Sequence, residues 1–412
     1  MDTVTRPNEG ETRSILVVLF LGAFAMGSAD MLVVGMLDLI SADLAVSVPQ
    51  AGALVTAFAL SMAIGGPVLA LLTAHLDRRI VLLGAVAAFA LLNVVPVLVA
   101  DYTFFLLARA GAGAVEGLFI AAALTAVEGI VPKDRSGRAM GLVITGFATS
   151  SALGLPLGTL AGQVLGWRAS FAALVGIALG VLIAGVRVLP SVPTRASRTA
   201  GAQLRLAFAP RVLAALALCC LVFAGVQSAL TYLVPYLGDV TRISGTTVVG
   251  VLFAFGVATT VGSAAGARFA DAHAARALVG GTVGLTAVLV TMYLFGGHAV
   301  VAVLTIVGMG LFAMGMAPAL QSRVMSLAGP GAALAASLPA SAANAGDSVG
   351  ALLGGVAISH AGLAAAVLAG AVVTAVAVAV AVATSRLRPT APAAEVTPTT
   401  EVTPPSAELI GA

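Results

Sequence analysis

Charge is scarce in this sequence. Asp, Glu, Lys and Arg together make up 9% of its 412 residues, against about 25% in a soluble domain. That shortage excludes a soluble enzyme, a nucleic-acid-binding domain and a disordered chain. Lysine is nearly absent, with Lys133 alone among 20 basic residues. Cysteine is limited to the adjacent pair Cys219 and Cys220. Neighbouring helical residues cannot reach unstrained disulfide geometry, and no zinc-site spacing occurs, so no metal or cofactor is expected. The four histidines, His75, His273, His298 and His360, fall at or near predicted loops, which leaves no histidine proton relay.

Apolar residues dominate instead, at 60% of the chain, enough for about a dozen bilayer crossings of roughly 20 residues each. Bounded by charges and turn residues, the apolar stretches predict twelve spans: 15–40, 50–74, 80–100, 102–131, 138–163, 168–189, 209–237, 246–267, 277–295, 298–321, 331–359 and 361–384. The first is too long for a signal peptide and is soon followed by another. With an N-terminus inside the cell, seventeen basic residues fall in inner segments and two, Arg168 and Arg242, in outer loops. That bias predicts both termini on the cytoplasmic side. The division is then an N-terminal segment 1–14, six spans over 15–189, an Arg-rich linker 190–208, six spans over 209–385, and a Pro- and Thr-rich tail 386–412 that cannot bury a core and is expected to be disordered. Two six-helix bundles suit a transporter that binds its substrate near the midplane between them. The expected partners are therefore a small-molecule substrate and the lipid bilayer, no nucleic acid, and by default no second subunit.

Ionisable groups inside spans are costly and mark pathways or pairs. Asp30 lies in span 1 with no basic residue within helical reach. A partly dry cavity disfavours its charge and suits it to proton coupling; the alternative is a carboxyl satisfied by packing. Arg109 and Glu116 stand two turns apart on nearly one face of span 4, either to hold Asp30 or substrate or as a purely structural pair. Asn344 and Asp347 share a face of span 11, inside the cavity or, if that span starts later, near the surface. Gln227 in span 7 and Asn93 in span 3 are weaker candidates. Met and aromatic residues such as Phe58, Phe253 and Phe312 permit an apolar or amphipathic ligand.

Several stretches resemble the major facilitator superfamily, and within it the twelve-span drug:proton antiporters. In span 5, GFATSSALGLPLGTLAGQVLGWRASF is similar to the antiporter signature through Gly154, Pro156 and Gly158. Its continuation through Trp167, Arg168 and Phe171 matches the group, and Trp167 is expected in the outer aromatic belt. Arg109 with Gly113 and Gly117 resembles the fourth-span pattern linked to proton handling. GSADMLVVGMLDLISADLAVS in span 1 is similar to the chloramphenicol-resistance and sugar-efflux branch, with Asp30 where Glu is usual. The loop LLTAHLDRRIVLL keeps Arg78 and Arg79 of the family's inter-span motif, but has Ala74 at its Asp and Asp77 at its Gly. The copy GARFADAHAARAL keeps Asp271 and Arg276.

The resemblance implies an all-α fold of two pseudo-symmetric bundles in the plasma membrane. It implies proton-driven export of a small, largely apolar compound, such as an antibiotic of the chloramphenicol kind, with Asp30, Arg109 and Glu116 in coupling. Sugar or nucleoside transport, outward or inward, is the alternative on the same scaffold. No nucleophile constellation or nucleotide loop supports an enzyme.

Overall fold

The computed structural model describes residues 8–192, 209–329, 335 and 338–387, apart from the side chains of 133, 134 and 269–273. Most of the expected linker and nearly all of the expected disordered tail lie outside these residues.

Helix α1 (Glu9–Gly35) starts six residues before the predicted span. Asn8 forms a capping box with Glu11: the Asn8 side chain accepts from the Glu11 N–H at 2.8 Å, and the Glu11 carboxylate accepts from the Asn8 N–H at 2.9 Å. The predicted run to residue 40 is interrupted at Met36, after which a short α2 (Leu37–Asp43) completes the crossing. There follow α3 (Val48–Leu72), α4 (Arg78–Leu98) and α5 (Tyr102–Ile130). The fifth crossing is composite: α6 (Lys133–Thr149), a π-helical turn over Ser150–Gly154, and α7 (Leu155–Leu165). After α8 (Trp167–Val188), the seventh crossing repeats the design of the first, with α9 (Pro210–Leu230) and a short α10 (Leu233–Asp239).

Residues Thr246–Phe295 are helical throughout, yet the two ends of this stretch meet. The Tyr236 hydroxyl donates to the Met292 carbonyl and the Thr241 hydroxyl to that of Gly296, both at 2.9 Å. A straight helix of this length would hold its ends about 75 Å apart. The chain therefore doubles back near 269–273, giving α11 (Thr246–Arg268) and α12 (Ala274–Phe295). The last helices are α13 (Ala299–Ala328), α14 (Leu338–Ala361) and α15 (Ala364–Ser385). Among the described residues, eleven segments are long and apolar enough to cross a membrane. Helix α14, made more polar by Asn344 and Asp347, is 24 residues long, about 36 Å, and brings the crossings to twelve. The chain is an all-α, multi-pass membrane protein.

The halves repeat each other with a fixed offset. Gly113 of α5 lies against the backbone of Phe58 on α3, and Gly310 of α13 lies against Phe255 on α11; Gly65 meets Ala114, and Gly262 meets Leu311. Each second-half residue stands 197 positions after its counterpart. Such small residues let helices approach where no hydrophobic effect drives them together.

Between the halves, α3 packs on α14, α10 touches α1 and α2, and the π-turn with α7 packs on α11. Gly256 of α11 makes the last contact close, facing the backbone of Ser151 and Ala152. Helix α6, the other half of the same crossing, packs on α1 and α5 of its own bundle. The bundles thus join toward the end carrying α2 and α10. A recess of about 960 Å³ lies within the first bundle at the arginine-rich end, among α1, α5 and α6, beside Arg13, Leu16, Ile130, Arg135, Arg138 and Leu142.

The repeat generates a stability test. A methyl group on Gly113 would overlap the Phe58 carbonyl, whereas on Gly310 it would sit 3.1 Å from the Phe255 carbonyl. Gly113→Ala is expected to cost about 1–3 kcal/mol and Gly310→Ala clearly less, measured as melting temperature in detergent. Equal shifts would contradict the packing described.

Candidate functional site

Among the described residues, Arg109 is the largest fully buried side chain, at 1% exposure. Its Nη1 donates to the Ala29 carbonyl of α1 at 2.9 Å, and its Nε points to the Leu54 carbonyl of α3 at 3.5 Å. The guanidinium lies 3.9 Å from the centroid of the Phe58 ring, a cation–π contact strengthened by desolvation. Nη2 stands 4.0 Å from Asp30 Oδ1 and has no hydrogen-bond partner. One side chain thereby ties α5 to α1 and α3 and keeps one face open toward a carboxyl.

Glu116 lies two turns along α5, buried at 2% exposure, with Oε2 buried and without a partner. Asp30 is a quarter exposed. It is close enough for its charge to act on both Glu116 and Asp347. Asp347 is half-buried on α14, nine residues after that helix begins, or about 14 Å along it. The predicted residues Asp30, Arg109, Glu116 and Asp347 thus form one electrostatic cluster spanning both halves. The guanidinium faces two of these carboxyls, Asp30 and Glu116, and Asp347 joins the cluster through Asp30.

The 197-residue offset shows how unequal the halves are at this level. Asp30 corresponds to Gln227, which is buried on α9; Arg109 corresponds to Ile306 and Glu116 to Ala313. The second half contributes its acid from α14, where Asp347 corresponds to Ser150. Asn344 is half-buried and spends its amide on the Ala340 carbonyl one turn back, at 2.9 Å. Asn93 does the same with Phe89 at 2.8 Å. Of the apolar candidates, Phe58 reaches the cluster, while Phe253 and Phe312 are exposed on the flank of the bundle.

The signature in span 5 builds the π-turn. Pro156 lacks an N–H and sits at the start of α7, so the helical hydrogen-bond ladder cannot run through unbroken. Gly154 and Gly158 bring this segment against Ser28 and Leu32 of α1, next to Asp30. Trp167 departs from expectation. It is 4% exposed, stacked on Phe105 at 5.5 Å and edge-on to Phe171 at 5.9 Å, so it locks α8 to α5 rather than facing an aromatic belt. Arg168 covers it at 4.4 Å and pairs with Asp43 at 2.6 Å.

Asp77, standing where the resembled loop has Gly, caps α4: its carboxylate accepts from the Arg79 N–H at 2.7 Å, from the Val192 N–H at 3.3 Å and from the Ser191 hydroxyl. The Arg78 N–H donates to the Val192 carbonyl at 3.2 Å, and Arg79 Nη2 to that of Val186 at 2.6 Å. Arg78 is itself buried. The loop is thereby clasped to the end of α8 and the first residues of the inter-bundle linker, a role no local pattern announced. Arg276 of the second copy is exposed, and the Asp271 side chain lies outside the described residues.

The family model described as Major Facilitator Superfamily matches residues 19–338. The chain is 32% identical over 364 residues to a protein of Streptomyces lividans called Chloramphenicol resistance protein, covering 84% of this chain and 89% of that one. It is 29% identical over 357 residues to a Probable sugar efflux transporter of Pasteurella multocida, covering 87% and 88%. It is likewise 29% identical over 344 residues to the Inner membrane transport protein YdhP of Escherichia coli K12, covering 84% and 88%. Among solved structures, a bacterial homologue of the human lysosomal transporter Spinster, inward-facing and unoccupied, superposes with a TM-score of 0.76 at 17% identity, covering 92% of this chain and 98% of that one.

The clasp is testable. Burial pushes the Asp77 carboxyl up, but the Ser191 hydroxyl, the Arg79 and Val192 N–H groups and the Arg79 charge outweigh it and hold it below the usual carboxylate range. A lowered carboxyl stabilises the fold fully above its unfolded value, about 4, and loses that contribution as pH falls through the folded value. Asp77→Ala is expected to cost about 1 kcal/mol, as for a lost helix cap, at neutral pH. The gap to the native chain should close in acid, read as melting temperature against pH. A pH-independent gap would remove the ionic part of this account.

Proposed function

Because the chain belongs to the Major Facilitator Superfamily, and so is a membrane transporter rather than an enzyme, we propose that it exports a small, largely apolar compound in exchange for protons. One observation carries this reading: a single buried guanidinium faces two carboxyls of its own bundle, Asp30 and Glu116, and Asp30 in turn faces Asp347 of the other. One positive charge balances one carboxylate in a dry interior, so the cluster has room for protons.

Substrate enters from the arginine-rich end, which faces the cytoplasm by the positive-inside rule, with the transporter a monomer in the plasma membrane. Binding favours closure of that end and opening of the other. A proton arriving from outside neutralises Asp30, loosens its hold on Arg109 and favours substrate release and return. Each ligand acts only through its different affinity for the two states. The driving force is the proton gradient, with no cofactor.

The relatives named for chloramphenicol resistance and sugar efflux support the outward direction. An apolar, antibiotic-like cargo fits better than a sugar. Beyond the ionic cluster, the polar candidates are Gln227 and Asn344, and Asn344 is already engaged within its own helix. Sugar export is the second reading, favoured by the sugar efflux relatives.

Accumulation of chloramphenicol and a sugar panel in cells expressing the chain, with and without a protonophore, tests the reading. Asp30→Asn is expected to abolish uphill export while the protein stays in the membrane; full uphill export by this variant would refute coupling through Asp30. Arg109→Ala should reduce transport more than Arg168→Ala, because Arg168 pairs with Asp43 away from the cluster. Equal losses would remove the case for Arg109.

A further inference from the structure

A second recess, of about 590 Å³, lies between α11, α12 and α13. Its walls are Gly266, Ala277, Gly280, Gly281, Phe312 and Met316, and Arg276 is the charged group among its described lining residues. Val261, Val283 and Phe312 around it are exposed apolar side chains, so it opens on the hydrocarbon-facing flank rather than toward the ionic cluster. Arg276 stands two residues into α12, beside the turn at 269–273, and Arg268 ends α11 at the same level. Both are exposed. The recess therefore runs inward from the headgroup level of the arginine-rich side.

The repeat shows which side chains the second half gives up at this place. Stepping back 197 positions from Gly266, Ala277 and Gly280 gives Leu69, Ile80 and Leu83. Three large side chains in the first bundle are replaced by two glycines and an alanine in the second. A cavity emptied on the lipid side has only bilayer components to fill it.

We propose that this slot binds an anionic phospholipid, with one acyl chain against the Gly and Ala wall and the phosphate at Arg276. Charge complementarity selects the headgroup, since a cation near the membrane surface favours an anionic lipid by about 1 kcal/mol, or roughly fivefold. The chain's shape selects the site. The site is independent of the transport cycle, and its test does not read transport.

The full chain, purified in detergent and given equal amounts of phosphatidylglycerol and phosphatidylcholine with the same acyl chains, is examined by native mass spectrometry. Wild type should retain phosphatidylglycerol about fivefold over phosphatidylcholine. Arg276→Ala should bind both lipids equally. Gly280→Leu restores the residue type of the first half at a position where an added Cβ meets nothing within 4 Å, so it should fold normally, checked by melting temperature, and lose the tightly retained lipid. No headgroup preference in wild type, or undiminished retention by folded Gly280→Leu, would overturn the proposal. Should Gly280→Leu unfold, Arg276→Ala decides alone, and an unchanged preference there overturns it.

Discussion

Taking a guanidinium out of water inside a membrane protein costs several kcal/mol unless its donors are met locally. Arg109 meets that demand with the carbonyls of Ala29 and Leu54 and the ring of Phe58, leaving Nη2 toward Asp30. This arrangement fixes where α1, α3 and α5 stand relative to one another. It also leaves one donor unmatched and two carboxyls, Asp30 and Glu116, competing for one charge. A site held this way joins fixed helix positions to an unmatched charge balance, and the proposed proton coupling rests on that combination.

The scaffold around it is nearly symmetric and the chemistry is not. Phe58–Gly113 and Phe255–Gly310 are the same contact made twice, and the first and seventh crossings both end in a short separate helix. Yet the positions equivalent to Asp30, Arg109 and Glu116 hold Gln227, Ile306 and Ala313. Symmetry supplies two matching bundles; asymmetry confines most of the cluster's titratable groups to one of them. The π-turn at Ser150–Gly154 lies where these meet, touching α1 beside Asp30 on one side and α11 of the other bundle on the other.

The spans were legible because hydropathy is a property of the residues themselves, and the twelve predicted runs fall on the observed helices. Their interruptions were not. Met36 is as apolar as its neighbours, and Tyr232 is a single amphipathic residue in an apolar run, so nothing in the pattern marks a break. Asn8 and Glu11 did carry a capping signature, obscured by the polar residues before the apolar run. At the site, helical spacing placed Arg109 and Glu116 on one face, but the approach of Asp30 and Asp347 depends on how separate helices pack. The role expected for Trp167 failed for the same reason: an indole at a span end suits a lipid interface equally well, until Phe105 and Phe171 are found on either side of it.

The central claim is that the ionic cluster holds a proton that Asp30 can give up within the working pH range. Infrared difference spectroscopy of the purified chain across neutral pH reads this without knowledge of the substrate. The account requires a carbonyl stretching band of a protonated carboxyl that appears as pH falls and is altered or lost in the chain carrying Asn at position 30. A native spectrum with no titrating carboxyl band, or a band indifferent to that replacement, would contradict it.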